Sequence, residues 1–171
     1  MIIELDAFHR AIEACETTVE LNQFLGSIYA EYLTSMSKPD EVNLDELTAL
    51  GRVLHKYAKK TSAVKAFVCG DYYSKFNRMK EDCIEMMIEQ KRVEMLSRWY
   101  HRDLFTFLFM NGCCDSQKIQ DAFPGKDIAA MMEQFVDLGL ASCTILPEVT
   151  YYELTAQGYA YHSKTIGRWE R

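Results

Sequence analysis

The run Ala141-Ser142-Cys143-Thr144-Ile145-Leu146-Pro147-Glu148-Val149-Thr150-Tyr151-Tyr152-Glu153-Leu154 is dense in β-branched and aromatic side chains on either side of one Pro-Glu pair. Two such runs at that separation predict a β-hairpin, with strands over 141–146 and 149–154. What surrounds it reads as helix. Upstream, residues 126–138 carry Ile128, Met131 or Met132, Phe135 and Leu138 at helical spacing, closed by Gly139. Before them Asp115 opens a short helix that ends at Phe123, and Pro124-Gly125 marks a tight turn. Downstream, Thr155 offers an N-cap to a last helix running through Trp169.

Arg98 to Asn111 is apolar nearly all round, with Gly112 as its stop. A helix with no polar face is buried on two sides. The expectation is that Leu104, Phe107 and Leu108 face one core while Phe105 and Phe109 face another, so that this helix joins two halves of the protein. Residues 1–97 show helices in series. Leu5, Phe8, Ile12 and Cys15 share one face, and Thr17 with Glu20 makes a capping box. Asn43 caps a helix carrying Leu44, Leu47, Leu50, Leu54 and Tyr57. A restart is expected at Thr61-Ser62 and an interruption at Gly70-Asp71. A long amphipathic helix over about 71–96 then has Tyr72, Phe76, Met79, Cys83, Met86 and Val93 in phase. The predicted fold class is mainly α: a helical domain over 1–97, then three helices, a two-stranded hairpin and a C-terminal helix over 98–171.

Phe135-Val136-Asp137-Leu138-Gly139-Leu140-Ala141, where the third helix of the second domain enters the hairpin, and Tyr152-Glu153-Leu154-Thr155-Ala156-Gln157-Gly158, where the hairpin leaves it, carry a likeness. Residues 98–168 resemble a winged helix-turn-helix domain, closest to MarR-like and PadR-like bacterial transcriptional regulators. In that family the Leu-Thr-x-x-Gly step hands the wing strand over to a helix, Thr supplying the cap oxygen and Gly allowing close packing. The resemblance implies a regulator that binds double-stranded DNA as a homodimer, with the third helix in the major groove and the wing near the minor groove. It places Lys126, Ala130, Glu133, Gln134 and Asp137 on the outer side of the reading helix. Lys118, Lys126, Arg98 and Arg102 would touch phosphates, and Gln134 would read adenine.

The chain departs from that pattern in charge. Glu133 and Asp137 join Asp127 on the reading helix, and residues 144–153 of the wing contain no Lys or Arg. Since phosphate neutralisation supplies most non-specific affinity, this acidic third-helix face leaves as the alternative a winged helix turned to a protein partner, as an adaptor. The net charge of −6 is unevenly spread: residues 1–51 carry −8, residues 52–102 carry +6 and residues 103–171 carry −4. The stripe Arg52, Lys56, Lys59, Lys60 and the cluster Lys75, Arg78, Lys80 would either face a polyanion, lie solvated, or pair with the acidic N-terminal helices.

No unbroken apolar run reaches the roughly 20 residues of a membrane helix, and Met1-Ile2-Ile3-Glu4-Leu5-Asp6 lacks a signal-peptide layout. A cytoplasmic protein with no membrane partner is expected. The six cysteines, Cys15, Cys69, Cys83, Cys113, Cys114 and Cys143, form no C-x-x-C pair, so neither a metal nor a cofactor is anticipated. Cys113 and Cys114 precede a helix N-terminus, which would suit a thiol redox sensor, although a packing role for Cys113 is favoured. Phosphate-loop, nucleophile-elbow and H-E-x-x-H motifs are all missing, and no enzyme is expected. Tyr72, Phe76, Met79 and Met86 are the candidates to line an effector pocket, with plain core as the competing reading. Tyr159, Ile166 and Trp169 on the last helix are the candidates for a dimer interface.

Overall fold

The computed structural model describes residues 3–169, with the side chains of 40 and 166–169 outside that description. The order is α1 (Leu5–Ala14), α2 (Thr18–Ser35), a 3₁₀ turn (Pro39–Glu41), α3 (Leu44–Ala58), α4 (Ala63–Ser97), α5 (Trp99–Asn111), β1 (Cys114–Asp115), α6 (Ser116–Ala122), α7 (Ile128–Asp137), β2 (Ala141–Ile145), β3 (Thr150–Leu154) and α8 (Ala156–Trp169). The chain is mainly helical with one small antiparallel sheet. It divides into two compact units, 1–87 and 88–171, and the boundary falls inside α4 rather than at 97/98.

The first unit is held by one apolar core. Phe8 and Ile12 of α1, Leu21 and Leu25 of α2, Leu47, Leu50 and Leu54 of α3, and Phe76 and Met79 of α4 are all but sealed from solvent. Tyr29 and Tyr32 meet the Phe76 ring edge-on at 5.9 and 6.2 Å. The Thr17–Glu20 capping box forms, and Asn43 accepts from the Glu46 amide at 3.1 Å. The expected interruption at Gly70-Asp71 does not occur, and α4 runs unbroken for 35 residues. Gly70 lies on an exposed face where nothing crowds it, while Asp71 and Lys75 pair one turn apart at 2.7 Å, so the helix pays only the glycine's small entropic penalty.

The second unit builds around α5. Its sheet has the order β1-β3-β2, with Cys114 opposite Tyr152 and Cys143 opposite the same Tyr152 on the other side. The hairpin is one residue shorter per strand than predicted, and the Leu146 amide closes its loop on the Val149 carbonyl at 2.9 Å. Strand β1 is absent from the sequence reading. Leu104, Phe105 and Leu108 all enter the same core, with Phe107 and Phe109 packed against it, which corrects the expectation that α5 serves two cores. Both sides of α5 are covered within its own unit: Phe105 stacks on Phe135 at 5.4 Å, Phe107 meets Phe123 at 5.5 Å, and Phe109 stacks on His162 at 4.0 Å.

The start of α8 forms as its sequence suggests. Thr155 donates its hydroxyl to the Gly139 carbonyl at 2.7 Å and accepts the Gly158 amide at 3.0 Å. Gly158 lies so close to strand β2's entry that a β-carbon there would come within 2.0 Å of the Leu140 carbonyl oxygen.

Candidate functional site: the outer face of α7

Helix α7 is positioned by its two ends. Asp115 caps α6 by accepting the Lys118 amide at 2.7 Å, and the chain then turns through Gly125 at φ +76°. Gln120 braces this turn, its amide donating to the carbonyls of Phe123 and Lys126 at 3.4 and 3.2 Å. Asp127 caps α7 by accepting the Ala130 amide at 3.1 Å. At the far end, Arg92 of α4 is buried and donates from Nε and Nη2 to the Leu138 carbonyl at 3.1 and 2.7 Å. A cation on the last carbonyls of a helix also opposes its dipole favourably.

With Ile128, Met131, Met132 and Phe135 turned into the core, α7 offers Ala129, Glu133, Gln134 and Asp137 to solvent and leaves Ala130 half-buried. A groove of about 350 Å³ runs along this outer face, lined by Ile88, Lys91, Glu94 and Met95 of α4, by Arg98, and by Gln134, Asp137 and Leu138. The Lys126 ammonium lies at the other end, 5.4 Å from the Trp99 ring and 4.9 Å from that of Tyr100. Trp99 itself is 60% exposed. Beneath them His101 is buried between Tyr100 and Phe135, at 4.7 and 5.9 Å between ring centres. Burial first, and the Arg98 charge second, hold the His101 pKa below its usual value, with the Gln134 amide acting in the opposite sense.

The structure thus gathers Arg98, Lys126 and Gln134 along one face of α7. Lys118 is exposed on α6, and Arg102 is half-buried on α5. The hairpin tip is apolar and acidic: Ile145 is 77% exposed, and Leu146 and Glu148 are also exposed. Lys91 and Arg92 escape the sequence reading. Their signal is one of phase, for the inward stripe at the end of α4 is Arg92, Met95 and Leu96, while Val93, taken there as apolar, is exposed.

The other candidates lie elsewhere in the chain. Tyr72, Phe76 and Met79 are packed in the first core, and Met86 is on the surface. A second cavity, of about 300 Å³, is lined by other residues, among them Ala7, Ala11, Phe24 and Ile28 of α1 and α2. Tyr159 rests on Phe109 at 5.6 Å, and the side chains of Ile166 and Trp169 lie outside the described residues. Of the cysteine pair it is Cys114 that packs and Cys113 that is exposed, the reverse of the favoured assignment. Pairing of β1 with β3 turns Cys114 inward, and burial pushes its thiol up despite the pull of Lys118. Arg52 and Lys56 of α3 and Lys59 and Lys60 just after it are exposed, whereas Lys75 pairs with Asp71 and Lys80 donates to the Thr48 hydroxyl. Among the described residues no helix is long and apolar enough to cross a membrane.

The chain matches no protein-family model, no curated protein and no solved structure.

Proposed function

We propose that residues 88–171 are a winged helix that binds double-stranded DNA through α7, and that the protein acts as a dimeric transcriptional regulator. The observation that carries this reading is the exposed outer face of α7, with Gln134 on it, Arg98 lining the same groove and Lys126 just before the helix start. The element order supports it as well: helix, strand, helix, helix and a two-stranded ribbon, with the first strand added to the ribbon's second, follow the order expected of a helix-turn-helix flanked by a wing. Gln134 has the donor and acceptor needed to pair with the N6 and N7 edge of adenine. The twofold requirement comes from the way such modules read two half-sites one helical turn apart, about 34 Å.

A second reading has its own observation. Glu133 and Asp137 on α7, with the apolar tip Ile145-Leu146, suit a protein partner better than a phosphate backbone. A salt-dependent titration against mixed duplex fragments separates the two. The DNA reading expects binding whose log K falls linearly with log salt, and a Gln134→Ala variant that keeps non-specific affinity but loses about 1–3 kcal/mol of discrimination at one base pair. No detectable binding at about 50 mM salt would leave the adaptor reading in its place.

A further inference from the structure

Cations flank α7 but not the wing. Lys91 and Arg98 line the groove, Lys126 stands over Trp99 and Tyr100 just before α7, and the wing offers none. Resting on the DNA reading above, we infer that the DNA backbone is held by Lys91 and Arg98 in the groove between the end of α4 and α7, with Lys126 adding a contact before the start of α7, and that the wing takes no part in phosphate contact. The ligand chemistry is a phosphodiester of the duplex whose base edge Gln134 reads.

Three features support this assignment. Lys91 and Arg98 are exposed, and neither is in an ion pair among the described residues. Lys126 is held by aromatic faces rather than by a carboxylate, so its charge is steered without being cancelled. The groove, at about 350 Å³, has room for a phosphate and its sugar, and Gln134 is part of its wall, so a base contact and a backbone contact are made from adjoining positions. Glu94 and Asp137 line the same groove and oppose the phosphate. They cap the affinity of the site and make its response to charge removal diagnostic. At the wing the signs differ: Glu148 is the charge nearest the exposed tip, and Ile145 and Leu146 beside it have nothing to donate to a phosphate.

The experiment is a set of salt titrations of the full chain with a labelled mixed-sequence duplex. All four substituted side chains are exposed, and circular dichroism verifies that each variant is folded. Lys91→Ala and Arg98→Ala are each expected to weaken binding and to flatten the slope of log K against log salt by about 0.9, the loss of one phosphate contact. Glu94→Gln is expected to tighten binding. Glu148→Gln is expected to leave both affinity and slope as they are, whereas a wing on the backbone would bind more tightly once that carboxylate is gone. If the chain binds DNA but Lys91→Ala and Arg98→Ala keep the parent slope, or Glu148→Gln raises affinity, the groove assignment is overturned while the DNA reading stands. If neither the parent nor Glu94→Gln binds, both fall together.

Discussion

A methyl group at position 158 has no room, because its carbon would come within 2.0 Å of the Leu140 backbone oxygen and 3.3 Å of the Leu154 side chain. The oxygen belongs to backbone already committed to the Thr155 amide at 3.0 Å, so it cannot move aside cheaply. Gly158→Ala is therefore expected to destabilise the second unit by about 1–3 kcal/mol, the range for overpacking a closed contact, and urea unfolding will measure it. Thr155→Val removes the cap while keeping the volume, and is expected to cost about 1 kcal/mol in the same assay. His101 and His162 belong to the same unit, and burial depresses the pKa of both below the ordinary 6.5. Folded protein then resists the protons that unfolded chain accepts. The stability that this neutrality contributes is complete above pH 6.5 and drains away as the pH falls through 6.5 toward the depressed folded values. Unfolding midpoints taken at pH 7.5 and 5.5 should show the loss, and His101→Phe should reduce it. These residue-scale devices differ in how visible they are in sequence. Thr155 and Gly158 announce themselves by spacing, whereas the burial of His101 depends on Phe135, which only the fold brings to it.

At the scale of elements, the tie between Arg92 and the end of α7 matters most. One guanidinium serves the Leu138 carbonyl twice, stands 5.6 Å from the Tyr161 ring centre, and has Glu89 at 3.9 Å. Arg92→Met keeps much of the volume but strips the charged donors, and is expected to cost about 1.5–3 kcal/mol, read by thermal or urea unfolding. Under the proposed function it also weakens DNA binding with an unchanged salt slope, since Arg92 is buried away from any phosphate. Much of this level was legible. The hairpin, the caps at Thr17, Asn43 and Asp115, and the stops at Gly112 and Gly139 are local signals, and each of those glycines has a positive φ. What escaped was non-local. β1 is two residues long and exists only because β3 lies alongside it. The side of α5 that seemed to need a second core is covered by α8, whose Tyr159 and His162 lie 50 and 53 residues beyond Phe109.

For the molecule as a whole, the prediction concerns assembly. A reader of two half-sites must be a twofold dimer, and the chain's acidic first third and basic middle third, −8 and +6, allow two copies to meet with unlike charges opposed. Sedimentation at micromolar concentration and low salt is expected to give a dimer, and a monomer under those conditions would remove the twofold part of the proposal. The candidate site was legible in part at this scale. Arg98, Lys126 and Gln134 were named from their places in the pattern, but Lys91 was not, because its relation to α7 is set by the crossing of α4 rather than by any motif. One consequence follows from the Trp99 ring beneath the Lys126 ammonium. The chain has two tryptophans, and a Trp169→Phe variant would leave an indole whose emission senses that neighbouring cation and little else of the fold. Whatever draws Lys126 off the ring will change its colour and brightness, giving the protein an optical gauge of occupancy that needs no added dye.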